Sequence, residues 1–269
     1  MSEPAQIEEL VKAVQKGASY RSISPVLIRR IGVQELAKGR SWKEAVKATR
    51  NKLHQVGGAY QEQEPDYPAW QAELDAIDPI REPEQLKTFC RKVMQFHAST
   101  RERLPDLEHF YAETLAALGP IRSILDAACG FNPLALPWIP LAQDAIYYGC
   151  DIYADMVEFM NSFLTKVRRP GNVEVCDLIH ACPGQSVQVA LLLKTIPCLE
   201  QMEKTAGRAL LDGIQAEHLL VSFPARSLGG RSKGMVQNYE AHFRQLIEGQ
   251  PWRIQRFEFA SELAFLVSK

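Results

Sequence analysis

Apolar and polar positions follow two different periods along this chain. Up to about residue 95, apolar residues recur three and four positions apart, the spacing of one helix face after another. "PAQIEELVKAVQKG" reads as a helix ending on Gly17. "SPVLIRRIGVQELAKG" opens with Ser24-Pro25, a cap followed by the residue favoured in a first helical turn, and ends on Gly39. "SWKEAVKATRNKLHQVGG" places Glu44 three positions after Ser41, a capping-box pattern, and stops at Gly57-Gly58. "QEQEPDYPAW" and "AIDPIREPEQ" read as polar, proline-containing connections, and no strand is expected before residue 121. From there the period changes. "IRSILDAA", "AIYYGCDI", "NVEVCDLI", "VQVALLLKTIP" and "HLLVSFPA" are apolar runs of strand length alternating with helical segments. That alternation predicts βαβ units and a parallel sheet covered on both faces. "WRIQRFEFASELAFLVSK" reads as two strands around a short turn, hence an antiparallel edge.

Composition narrows the class. The 269 residues are 46% hydrophobic and 23% charged, ordinary for a globular protein and enough for one large domain or two modest ones. The net charge of -1 means that a nucleic-acid surface has to be a local patch. "MSEPAQIEELVKAV" has no apolar run of signal-peptide character, and no segment approaches the roughly 20 residues of a membrane span, so a cytoplasmic protein is expected. The six cysteines form no C-x-x-C pair, which argues for reduced thiols and against both a disulfide framework and a metal site.

The chemistry lies at the strand ends. Ligands of open parallel sheets bind beyond the carboxyl ends of the strands. The first strand here ends at Asp126 and Gly130 and the second at Asp151, about 20 residues later, where an acid can hold ribose hydroxyls. The third ends at Asp177, placed to accept from an adenine amine. Each could instead be a simple helix cap, but three successive strands share the feature. The first turn lacks G-x-G-x-x-G, which disfavours a pyrophosphate on a helix N-terminus. An adenosine without phosphates remains, and S-adenosylmethionine is the expected cofactor. Gly130 would let backbone approach its methionine end, and Asn132-Pro133 would start the next helix.

Four stretches, "HASTRERL", "LDAACGFNPLALP", "GCDI" and "VSFPARSLGGRSKGM", resemble the aminoglycoside-resistance 16S rRNA methyltransferases that modify N7 of guanine 1405 in the decoding site. "YRSISPVLIRRI" and "TRNKLHQVGGAY" extend the resemblance over nearly the whole chain. It implies an α/β fold: a class I, Rossmann-like S-adenosylmethionine-dependent methyltransferase sheet with an all-helical N-terminal domain. The division implied is 1–95 for rRNA and ribosome recognition and 96–269 for methyl transfer. The resemblance places cofactor contacts at Tyr60, His97, Ala98, Ser99, Arg103, Ala128, Asp151, Asp177, Leu178, Leu193 and Gln201, and the strand-end reading adds Gly130. Arg103 would pair with the methionine carboxylate, a contact a guanidinium suits. The partner implied is 16S rRNA within the 30S subunit, met by a monomer without membrane or metal.

N7 of guanine carries a free lone pair, so its methylation needs no general base. Orientation and electrostatics then carry the reaction, and no catalytic base is expected. "KTIPCLE" has no acceptor for an amine substrate. It does contain Pro197-Cys198, which in cytosine-C5 methyltransferases would mark a nucleophile; here Cys198 is expected to pack beneath the site. RNA contacts are expected from Lys16, Arg21, Arg29, Arg30, Lys47, Arg50 and Lys52 in the helical half, and from Arg226, Arg231 and Lys233 in a glycine-rich loop that could close over a flipped base. Tyr60, Phe131 and Trp138 are candidates to stack on that base. Two other readings stand beside this one: a small-molecule methyltransferase with a helical lid, and a non-catalytic RNA-binding assembly factor.

Overall fold

A computed structural model describes residues 3–60, 63–226 and 234–269. Five helices come first: α1 (Glu3–Gln15), α2 (Pro25–Leu36), α3 (Trp42–Val56), α4 (Tyr67–Ala76) and α5 (Pro83–Met94). Ser24 stands at the N-cap position of α2, before Pro25, but its side chain makes no capping hydrogen bond; the capping box expected at α3 is formed. At α3, Glu44 Oε2 accepts from the Ser41 N–H at 2.9 Å and from its hydroxyl at 2.6 Å. Both presumed connections are shorter than the sequence suggested. The Asp66 carboxylate accepts from the Ala69 N–H and starts α4 inside "QEQEPDYPAW". Pro83 starts α5 inside "AIDPIREPEQ". In each case a proline sits in the first helical turn, where its missing N–H costs nothing. Two short helices, α6 (Ala98–Arg103) and α7 (Leu107–Thr114), lead into the sheet.

The sheet has seven strands: β1 (Ile121–Ala127), β2 (Leu141–Asp151), β3 (Gly171–Val175), β4 (Val187–Leu193), β5 (Ala216–Pro224), β6 (Arg253–Glu258) and β7 (Glu262–Ser268). Their order is β3-β2-β1-β4-β5-β7-β6. β1 to β5 run parallel, while β7 pairs antiparallel with both β5 and β6. The expected antiparallel edge is therefore present. The chain winds outward from β1 to β3, then returns to lay β4 on the other side of β1. This reversal opens a crevice at the carboxyl ends of β1 and β4.

The central strands β1, β4 and β5 bury both faces, and their alternation shows which residues go where. Ile124, Val189, Leu191 and Leu220 join one core, whereas Leu125, Ala190, Leu192 and Val221 join the other. α9 (Thr195–Glu200), α10 (Ala206–Gly213) and α11 (Met235–Leu246) cover the second face with Ile196, Leu210 and Phe243. The first face takes α8 (Ala154–Lys166) and the helical half together. Leu10, Leu27 and Ile28 belong to the same core as Met156, Phe159 and Phe163. Apolar packing therefore runs without a break across residue 95. α2 is also tied to the end of β2 by backbone: Ser24 N–H donates to the Ile152 carbonyl and Ala154 N–H to that of Ser22.

No helix among the described residues is long and apolar enough to cross a membrane. The six cysteines are free, and no group of three or more His, Cys, Asp or Glu among the described residues is arranged for a metal ion.

Candidate active site

A cleft of about 890 Å³, counted to its open mouth, lies over the carboxyl ends of β1, β2 and β4. The β1 turn forms its floor. Ala128 and Gly130 both adopt left-handed backbone, with φ of 55° and 52°. The turn is pinned to the next strand: Cys129 N–H donates to the Cys150 carbonyl, and Gly130 N–H donates to Asp151 Oδ2 at 2.9 Å. Oδ1 of the same carboxylate accepts from Ile152 N–H at 2.7 Å. Burial raises the Asp151 carboxyl above its ordinary value, and these backbone donors work against that rise. Gly130 also has a close side-chain neighbour. A Cβ there would come within 2.9 Å of the His97 ring, so the bare Cα makes room for imidazole.

His97 is stacked on Tyr60, with ring centroids 5.8 Å apart. Burial, together with the Lys194 and Arg103 cations, pushes its pKa down to about 3, so the ring is neutral. Its Nδ1 is buried and has no partner among the described residues. The Tyr60 hydroxyl meets Cys198 Sγ at 2.9 Å, and Sγ also reaches the Lys194 carbonyl at 3.2 Å. Burial lifts the Cys198 thiol to about 11 and the Tyr60 phenol well above its usual value. Cys198 is thus a protonated thiol in the cleft wall and not a poised nucleophile.

Of the residues expected at the cofactor, Tyr60, His97, Ser99, Arg103, Ala128, Asp151, Asp177, Leu178 and Leu193 line this cleft. Ala98 is buried beside them and Gly130 shapes the turn from below. Gln201 is exposed outside the lining, where Leu199 and Met202 contribute instead. Asp177 is also held from the helical half: Arg30 Nε and Nη2 donate to its two oxygens at 2.6 and 3.2 Å.

The basic residues expected to meet RNA divide into two groups. Lys16, Arg21, Lys47 and Arg226 are exposed. Arg29 pairs with Glu8 on the surface, Arg50 donates to the Ala13 carbonyl, and Arg30 turns inward to Asp177. Lys52, with Lys38 and Arg40, surrounds the buried Glu35. Arg231 and Lys233 lie outside the described residues. Among the stacking candidates only Tyr60 faces the cleft. Phe131 is fully buried against Tyr67, Trp70 and His97, and Trp138 is held on another surface between Arg91 and Glu108.

The strand-end reading missed a buried charged cluster. Arg103 and Lys194 line the cleft at 1% and 4% exposure. Behind them Glu262, fully buried, lies 2.7 Å from Arg103 Nε and 3.6 Å from Lys194 Nζ. Asn132 extends the set: its Oδ1 accepts from Arg103 and from Tyr111, and its Nδ2 donates to Asp126 at 2.6 Å. Sequence signals existed in a lysine directly after "LLL" and an acid opening "ELAFLV", but nothing local says that they meet.

Comparison with known proteins decides the family. The family model described as "Ribosomal RNA methyltransferase (FmrO)" matches residues 16–266. The chain belongs to this family. A 16S rRNA (guanine(1405)-N(7))-methyltransferase of Micromonospora rosea is 35% identical, over 98% of this chain and 97% of its own length. One of Frankia casuarinae is 36% identical, over 100% and 95%. The crystal structure of the 16S rRNA methyltransferase RmtF in complex with S-adenosyl-L-homocysteine superposes with a TM-score of 0.84 at 30% identity, over 100% of this chain and 99% of that one. As a member of the rRNA methyltransferases, this enzyme uses S-adenosylmethionine, and its cleft fits that molecule. Asp151 offers carboxylate oxygen for a ribose diol, Leu178 and Leu193 offer apolar walls, and Arg103 and Lys194 offer cations for a carboxylate.

Proposed function

We propose that this enzyme methylates N7 of guanine 1405 in 16S rRNA, acting as a monomer on the assembled 30S subunit in the cytoplasm, and thereby confers aminoglycoside resistance. The relatives named for that reaction match over nearly the full chain. One observation in the cleft carries the chemistry: His97 stacks on Tyr60 and the Tyr60 hydroxyl meets Cys198 Sγ, so that these buried groups line the cleft together, and burial favours the neutral form of each.

When bound, S-adenosylmethionine supplies an electrophilic methyl group on a sulfonium. Asp151 and Asp177 would hold its adenosine, and Arg103 its carboxylate. The chain's own task is to orient and exclude. Guanine N7 already has its lone pair in the ring plane, so no side chain has to take a proton first. Neutral His97 and Tyr60 leave the cleft wall uncharged where a flipped base would enter. Cys198, protonated and hydrogen-bonded to Tyr60, does not support covalent activation of a pyrimidine.

The test uses purified 30S subunits and radiolabelled S-adenosylmethionine, with the rRNA digested to nucleosides and mapped. The expected product is 7-methylguanosine at position 1405. 5-Methylcytidine would reinstate Cys198 as a nucleophile, and absence of transfer to subunits would overturn the assignment.

A further inference from the structure

The cations Arg103 and Lys194 reach the cleft from different parts of the chain. Arg103 ends α6. Lys194 follows β4 in left-handed backbone, with φ of 60°, an unusual conformation for a lysine. Both are desolvated, yet they line a cavity rather than the core. The carboxylate that compensates them does not line it. Glu262, the first residue of β7, stands behind the pair and is fixed in turn by the Ser222 hydroxyl, which donates to Oε2 at 2.7 Å. Lys194 has a second acceptor in Glu102 at 2.6 Å. Burial opposes ionisation of Glu262, but Arg103 and Lys194, with hydrogen bonds from Arg103 and Ser222, hold its carboxyl below the usual value.

Buried ion clusters are poor devices for stability alone, since apolar side chains of similar volume often do as well or better. This one places its two cations in the lining of the cleft and Glu262 outside it. Glu262 Oε2 accepts from Nη2 of the Arg103 guanidinium and Asn132 from Nη1, while Nε lies 2.7 Å from Glu262 Oε1 without a hydrogen bond, which leaves N–H groups over for a ligand in the cleft.

We propose that Glu262 is a positioning residue that aims Arg103 and Lys194 together at the carboxylate of the cofactor's amino-acid end. This rests on the reading that Arg103 receives that carboxylate. Lys194 thereby becomes a second cation of the same subsite, and a residue remote from the cleft in sequence sets its geometry.

The test is calorimetry with two ligands, S-adenosylhomocysteine and 5′-methylthioadenosine. They share the thioadenosine and differ in the amino-acid end. The wild-type protein is expected to prefer the first. Glu262→Gln, which keeps the shape and the Ser222 contact, should weaken S-adenosylhomocysteine roughly tenfold or more and leave 5′-methylthioadenosine within about twofold. Lys194→Met should show the same selective loss, and it stands as the test should Glu262→Gln fail to fold. Glu262→Asp, which restores the charge, should recover part of the preference. Equal losses for both ligands would reduce the cluster to a structural role and overturn the proposal. A wild-type protein without preference would overturn the Arg103 reading itself, a failure distinguishable from that of Glu262.

Discussion

Asp126 carries two short hydrogen bonds on one oxygen, from Asn132 at 2.6 Å and from Tyr147 at 2.5 Å. Burial nevertheless dominates and raises its pKa to about 7. The folded protein therefore holds a proton that the unfolded chain releases near its ordinary value, and this group lowers stability as pH rises toward 7. His97 acts in the opposite sense. With its pKa down at about 3, the unfolded chain takes up a proton below about pH 6.5 that the native ring refuses. The two effects oppose each other across the same range. Asp126→Asn should remove only the first. Its melting temperature should climb more steeply than that of the wild type between pH 4.5 and 7, with a relative gain on the order of a few kcal/mol. Parallel melting curves against pH would contradict the assignment. At this scale, Asp151 was legible because an acid closing an apolar strand is a local pattern. Glu262 was not, because its partners Arg103 and Lys194 come from distant segments and only the folded sheet assembles them.

The turn after β1 makes an element-scale prediction. Gly130 combines left-handed backbone with a missing Cβ that His97 fills, whereas Gly39 has similar backbone, φ of 74°, and nothing within 4 Å. Gly39→Ala should cost about 1 kcal/mol, the conformational penalty alone. Gly130→Ala should cost more and should also weaken S-adenosylhomocysteine in calorimetry, because His97 and the Gly130–Asp151 hydrogen bond must both shift. Equal costs for the two substitutions would place His97 elsewhere. Element types were readable from period and caps. Boundaries were less so: β2 begins at Leu141, four residues before the apolar run, because Leu141 pairs with Ile121 across an irregular register that the sequence does not announce.

At the scale of the whole molecule, the helical half and the sheet share one apolar core, to which Leu27 and Ile28 of α2 and Met156 and Phe159 of α8 all belong. Thermal unfolding followed by calorimetry should therefore give a single cooperative transition, and Ile28→Ala should shift it as a unit by several degrees. Two resolved transitions would mean that the halves are energetically separate. The change of period near residue 121 announced two kinds of structure, but it could not reveal this joint, because an amphipathic helix does not say which apolar face it will meet. The joint also has a thermodynamic consequence. α2 holds Asp177 through Arg30 and lends Leu27 to the cleft wall, so the same helix belongs to the cleft and to the outer face of the helical half. Linkage is reciprocal: whatever free energy a partner on that face adds to cofactor affinity, the cofactor returns to the partner in equal amount. Affinity for the cofactor and affinity for a partner on that face are then coupled quantities wherever the Arg30–Asp177 pair responds to both.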